Sequence, residues 1–327
     1  MAKKKAGSMR KFLLGTIAAA LLGYTGFQAY QHRTVPVEEI TRIKGVEKIV
    51  SQNGSVPDVI VLLQSHPNQD IKITGKDESS SSIDAVSGIC EKLYQRGVRS
   101  MVIEGLDNHA RENYNQKGKI KFQKGTTSAS HHYFGELESL LNKHKWKLYH
   151  AESDEIHAKI EEVRSQLQSN QEAVIAETDI NIKDLFAPYG KKTITASEGN
   201  MLRGRYKRVI DITNYKIRQA TTSFFTPEKF NYLYDLEVTQ RDMLFGQASK
   251  KAKEDKNIPI IMIYSISHQF SIPKNLQGMS YVLVRPKGID REPAPSSRES
   301  YIERHIFNIN EQDWRVILAQ KQIKVNK

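Results

Sequence analysis

The chain has 327 residues, 39% of them hydrophobic and 26% charged, with a formal net charge of +12. That length supports one large domain or two modest ones with a sizeable core. The single cysteine, Cys90, excludes an intramolecular disulfide framework. Many of the positive charges sit in the first residues and the rest are scattered among acids, with no RNA- or DNA-binding motif and no interleaved aromatics. A solvated basic surface near an anionic membrane accounts for the charge, and no nucleic-acid partner is expected.

In chain order, "MAKKKAGSMRK" (1–11) is a basic tail followed by the uncharged run "FLLGTIAAALLGYTGFQAY" (12–30). The run is at the short end of the roughly 17–25 residues that a spanning helix needs. Basic residues before it predict a cytoplasmic amino terminus and an exported, periplasmic or extracellular remainder. A cleaved signal peptide is the rival; the lack of a small-x-small site and of a lipidation cysteine favours a retained anchor. Residues 31–55 read as a tether with one short helix or strand.

A compact α/β pattern is expected over 56–288. "DVIVLL" is a continuous apolar run of strand length, as in parallel sheets covered on both faces. "SSSIDAVSGICEKLYQRG" is helical, with Ser82 as N-cap and Gly97 just past its end, and "VRSMVIEGL" is the next strand. Strand, helix, strand predicts a right-handed βαβ unit. "DNHARENYNQKGKIKFQKGTTSASHH" reads as a long polar loop, "YFGELESLLNKHK" as helix and "WKLYHAE" as strand. "SDEIHAKIEEVRSQLQSNQEAVIAETDINIKDLF" is mostly helical, whereas "ITASEGNMLRGRYKRVIDITNYKIRQATTSFF" is ambiguous. A helix capped by Thr226, with Pro227 in its first turn, runs on to a cluster of lysines. "IPIIMIYSISH" is the next strand, "NLQGMSYVLVRPKG" gives another, and 289–327 is a Pro/Ser-rich linker with a peripheral helix.

Three of these strands end in groups that can carry chemistry. "VIVLL" runs out at Gln64-Ser65-His66, "SMVI" at Glu104, and "IIMIY" at Ser265-Ile266-Ser267-His268. Ligands of open parallel sheets bind beyond the carboxyl ends of the strands. If the three strands are neighbours, His66, Glu104 and His268 share one mouth, as a divalent-metal set or as a base with an orienting acid. Arg241 stands four residues after Glu237, a spacing that suits a surface ion pair. It could instead reach the crevice and bind an anionic or carbonyl group. His131, His132, Asp107 and His109 are further candidates near the same mouth.

The two strand-end histidines, "VIEGL" and "QRDML" together resemble the TraB/ChaN-like superfamily, which includes TraB and Tiki-type proteins, haem-binding ChaN-like proteins and erythromycin-esterase-like enzymes. The resemblance runs from about Val56 to Gly288. It puts the family's two Gly-x-x-His motifs on Leu63-Gln64-Ser65-His66 and Ser265-Ile266-Ser267-His268, its strand-end glutamate on Glu104, and its Glu-Arg-Asn-like arginine on Arg241. Leu63 and Ser265 replace the two glycines, and Gln64 stands where an acid is frequent. The resemblance implies a membrane-anchored, exported, metal-dependent hydrolase of peptides or esters. Its catalytic set would be His66, Glu104, Arg241 and His268, with a divalent metal (Mn, Co or Zn) on His66, Glu104 and His268. The alternative it carries is a non-catalytic haem-, metal- or peptide-binding protein using the same cleft.

Overall fold

The computed structural model describes residues 34–65, 78–106, 108–122, 128–190, 192–290, 297–306, 309 and 314–326. The anchor segment, His66 and Asp107 lie outside these residues. Among the described residues, no helix is long and apolar enough to cross a membrane. They form two compact units, one within Met1–Asp154 and Val238–Pro295, the other within Glu155–Glu237 and Ser296–Lys327.

The first unit is α/β. A short helix α1 (Val37–Thr41) precedes strand β1 (Val46–Asn53), so the stretch read as a tether contributes a strand. Strand β2 (Val59–Gln64), helix α2 (Glu78–Gln95) and strand β3 (Ser100–Ile103) supply the expected βαβ unit. Helices α3 (Asn108–Lys117) and α4 (Ser128–Lys143) lead to a two-residue strand β4 (Lys147–Leu148). After the second unit the chain returns as helix α8 (Arg241–Glu254) and strand β6 (Ile260–Ser265). A short helix α9 (Ile272–Asn275) and strand β7 (Tyr281–Pro286) follow. The sheet order is β1-β7-β2-β6-β3-β4, with only the edge pair β1–β7 antiparallel.

The continuous apolar runs have the expected cause, for both faces of the sheet are covered. Ile60, Leu62, Met101, Ile103, Ile261 and Ile263 pack with the α2 and α4 side chains Ile83, Ile89, Leu137 and Leu141. Their sequence neighbours Val59, Val61, Leu63, Val102, Ile260 and Met262 face the other way, against Phe245, Ala248 and Ala252 of α8. Burying a side chain of this size removes about 1.5–3 kcal/mol of unfavourable hydration, so the alternation sets which face each strand end presents.

Several sequence expectations need correction. Helix α2 starts at Glu78, so Ser82 lies inside it; its buried hydroxyl accepts the Ser65 N–H at 3.4 Å instead of capping. Its other end is as expected. Gly97 has φ +97°, and the Gly97 and Val98 N–H groups bond back to Tyr94 and Leu93 as in a Schellman motif. The "loop" after Glu104 contains α3, a helix without an apolar stripe. It is held by side chain to backbone bonds: the Tyr114 hydroxyl donates to Leu141 and His144 carbonyls, and Asn115 brackets the Leu148 peptide.

The second unit interrupts the α/β domain expected over 56–288. It contains α5 (Asp154–Phe186, whose first residue belongs to the α/β unit), β5 (Thr193–Ile194), α6 (Ala196–Phe224) and α7 (Pro227–Tyr234), with α10 (Arg298–His305), α11 (Trp314–Gln320) and β8 (Lys324–Val325). The ambiguous stretch is therefore one helix, opened by a capping box between Thr195 and Glu198. The tail read as peripheral is part of this unit, because β8 pairs with β5, and Ile317 and Ile323 pack with Phe186, Leu202 and Tyr206. Thr226 caps α7 by accepting the Lys229 N–H, as expected, but the helix passes through a π-helical segment, Asp235–Gln240, before α8.

Candidate functional site

The three strands singled out are neighbours, in the order β2-β6-β3, and all are parallel. Gln64 and Ser265 sit in register at the ends of β2 and β6, and the Glu104 N–H bonds to the Ile263 carbonyl. The carboxyl ends therefore open on one edge, as expected for the ligand-binding side of a parallel sheet. Residue 104 has the side-chain parity of Val102, which directs its carboxylate to the α8 face of the sheet.

Arg241, the first residue of α8, meets two carboxylates there. Its Nε and Nη2 grip Glu152 Oε2 and Oε1 at 3.3 and 2.7 Å, and Nη1 lies 3.2 Å from Glu104 Oε1. Glu104 Oε2 accepts the Ser265 N–H at 2.6 Å, and Glu152 Oε1 accepts the Gly105 N–H at 2.7 Å. Both glutamates are buried, with 8% and 2% of their surface exposed. Burial disfavours the Arg241 cation, but the charges of Glu104 and Glu152 outweigh it and hold the pKa above the ordinary arginine value. The surface pair with Glu237 is not formed. Glu237 instead accepts from Arg164 Nη2 at 3.0 Å and from the Tyr301 hydroxyl in the helical unit. Glu237 lies within the π-helical segment and Arg241 directly follows it.

Asp242 follows directly and is fully buried. Its Oδ1 lies 2.8 Å from His268 Nδ1 and accepts the Tyr264 hydroxyl at 2.7 Å. The other nitrogen of His268, Nε2, faces Glu104 Oε1 at 3.8 Å. Two rings stack behind His268, Tyr264 on it at 4.2 Å and Phe245 on Tyr264 at 4.0 Å. They fix the plane of an imidazole that is only 4% exposed. Burial, with the charges of Asp242 and Glu104, raises the Tyr264 phenol well above its ordinary pKa, so it is a neutral hydrogen-bond donor. Gly246 lets α8 come this close: a Cβ there would stand 2.5 Å from the Asn275 carbonyl oxygen of α9.

At the adjoining strand end, the Tyr133 hydroxyl donates to Gln64 Oε1. Burial first, and then the Glu104 charge, raise the Tyr133 pKa. Two buried polar atoms at this edge have no hydrogen-bond partner, Gln64 Nε2 and Asp242 Oδ2. Such atoms are uncommon in folded proteins and call for a water or a ligand.

Of the predicted residues, Glu104, Arg241 and His268 come together, and His66 lies outside the described residues. His109 is exposed on α3 and pairs with Asn113. His131 and His132 are exposed on α4, with His132 Nε2 2.7 Å from Asp84 Oδ1. Sequence reading missed Glu152 and Tyr264, and touched Asp242 only as a member of "QRDML". The signal for Glu152 was a fourth strand, "WKLYHAE", ending in an acid two residues past His150.

Glu104 and His268 do not fit a shared divalent ion as they stand. One Glu104 oxygen is taken by a backbone N–H and the other by a guanidinium, whose positive charge opposes a second cation beside it. The arrangement does suit proton transfer: an aspartate holds one imidazole nitrogen, the other faces the strand ends, and an arginine is fixed by two acids. Comparison with protein-family models, with curated proteins and with solved structures finds no match for this chain.

Proposed function

We propose that this chain is a membrane-anchored, exported protein of the TraB/ChaN-like type whose strand-end cluster hydrolyses a peptide or an ester by acid–base chemistry. The anchor rests on the uncharged run at 12–30 behind its basic flank, and the family on the strand-end motifs. The observation that carries the chemistry is the Asp242–His268 contact of 2.8 Å with Nε2 left facing the edge of the sheet. His268 Nε2 takes a proton from the attacking water as it bonds to the carbonyl carbon, and Asp242 fixes the ring and stabilises the imidazolium. The imidazolium then returns the proton to the leaving amine or alcohol oxygen as the C–N or C–O bond breaks. Arg241, held by Glu152 and Glu104, offers its remaining N–H groups to the carbonyl oxygen as negative charge develops there.

The test is turnover of peptide and simple ester libraries by the full chain purified in detergent. His268→Ala is expected to lower kcat by about 10²–10⁴-fold, compared at a temperature where circular dichroism shows both proteins folded, because loss of the buried imidazole also lowers stability. Equal turnover by wild type and His268→Ala would remove His268 from the chemistry. The second reading, a non-catalytic ligand-binding cleft, draws on the open Gln64 Nε2 and Asp242 Oδ2. In that case both proteins are inert toward the libraries, and a haem titration gives a Soret band that His268→Ala abolishes.

A further inference from the structure

Helix α2 is bridged by a histidine and an acid to α4 and to the residue just past its end, His144, and the two bridges differ in charge. At one end His144 Nε2 lies 2.6 Å from Glu91 Oε2, and Lys143 Nζ lies 3.0 Å from the same oxygen, so a lysine balances the carboxylate. At the other end His132 Nε2 lies 2.7 Å from Asp84 Oδ1, and the third member is another acid, Glu136. Donor atoms of Asp84, His132 and Glu136 all stand within 4.8 Å of one another, and among the described residues no lysine or arginine pairs with either carboxylate. His132 and Glu136 are four apart, so one helical face presents both while α2 supplies the third donor across the interface.

We propose that Asp84, His132 and Glu136 form a binding site for a zinc-type divalent cation that clamps α2 to α4. One imidazole with two carboxylates suits zinc, with water in the remaining position, whereas calcium requires six or more oxygen ligands. The ion replaces the His132–Asp84 hydrogen bond, and Nε2 binds it with the ring proton on Nδ1. The bound cation neutralises the two carboxylate charges of Asp84 and Glu136. The clamp has a structural consequence, because the residue after His132 is Tyr133, whose hydroxyl holds Gln64 at the end of β2. Fixing the start of α4 therefore fixes one wall of the strand-end cluster. This site is separate from Glu104 and His268 and does not depend on their chemistry.

The experiment is calorimetric titration of the metal-stripped full chain, in detergent, with zinc chloride, alongside thermal melting. The expected result is a single bound equivalent and a melting temperature that rises with zinc, since a ligand of the native state stabilises it by mass action. His132→Ala and Glu136→Gln should each weaken binding by about tenfold or more, while His144→Ala and His268→Ala leave it unchanged. The proposal is overturned by wild-type affinity in His132→Ala, by loss in His268→Ala instead, or by neither heat nor stabilisation up to about 1 mM zinc.

Discussion

The two units differ in the polar groups they bury. In the helical unit they are neutral: Thr178, Thr213 and Thr221 donate to the carbonyls of Val174, Val209 and Ile217, one turn back on their own helices. Thr178 and Thr213 hydroxyls meet at 2.7 Å, and Gln171 Nε2 donates to Thr221 Oγ1 at 2.9 Å. The α/β unit buries neutral groups as well, Gln64, Ser82 and Ser249 among them, but adds ionic ones: Glu104, Glu152, Asp242 and His268 gather with the mostly buried Arg241 at one edge of the sheet. A threonine that bonds its own helix costs little to bury, whereas each buried ion carries a desolvation penalty of several kcal/mol. The helical unit uses polarity to align helices at small expense. The α/β unit concentrates charge where ligands of parallel sheets bind, and architecture alone gives no reason for that.

The largest expected effect tests the ionic cluster. Arg241→Met leaves two buried carboxylates without their cation, and should lower the unfolding free energy by about 3–5 kcal/mol in urea denaturation. Adding Glu104→Gln and Glu152→Gln to the same chain should recover part of that loss. A wild-type midpoint for Arg241→Met would mean that the cluster is solvated and the contrast with the helical unit false.

Asp242→Asn keeps a carbonyl oxygen for Tyr264 and His268 but removes the charge. It is expected to cost about 1–3 kcal/mol, and to reduce turnover further than that instability explains, because the imidazolium loses its counter-charge. Activity equal to wild type would reduce Asp242 to a packing residue.

A partly exposed pair sharpens the comparison through pH. Hydrogen bonding to His144 first, and then to Lys143, lowers the Glu91 pKa from 4.5 to about 2. A depressed carboxylate stabilises the fold above its unfolded value, and loses that contribution as pH falls through the folded value. The stability difference between wild type and Glu91→Gln should therefore be complete above about pH 5 and vanish near pH 2. A difference that survives unchanged at pH 2 would assign it to packing. The smallest effect belongs to the helical unit, where Thr178→Val combined with Thr213→Val should shift stability by less than about 1 kcal/mol. A loss as large as that of Arg241→Met would erase the contrast between the units.

How much of this was legible in the sequence follows from burial. The runs "VIVLL" and "IIMIY" read as strands because both faces of the sheet are covered; that Glu104 and His268 share one edge followed only once β3 and β6 proved to be parallel neighbours. Helix α6 was obscure because two of its buried positions are Thr213 and Thr221, which do not register as apolar, and because Gly199 and Gly204 lower its propensity. Helix α3 was invisible because hydrogen bonds from Tyr114 and Asn115 hold it where an apolar stripe would otherwise be needed. Glu152 was lost in the charge run "HAESDE", since β4 is only two residues long.

The amino-acid sequence by itself determined the parallel strands, their capping helices and the reactive groups at the strand ends, because hydrophobic periodicity and helix-end chemistry are local. Only the tertiary structure decided the partners. Spacing along the chain offered Arg241 the carboxylate of Glu237; the packing of α8 against the sheet brought it Glu152 and Glu104. Ion pairs inside a protein are set by which charges are desolvated together, and that depends on the packing of segments far apart in the chain.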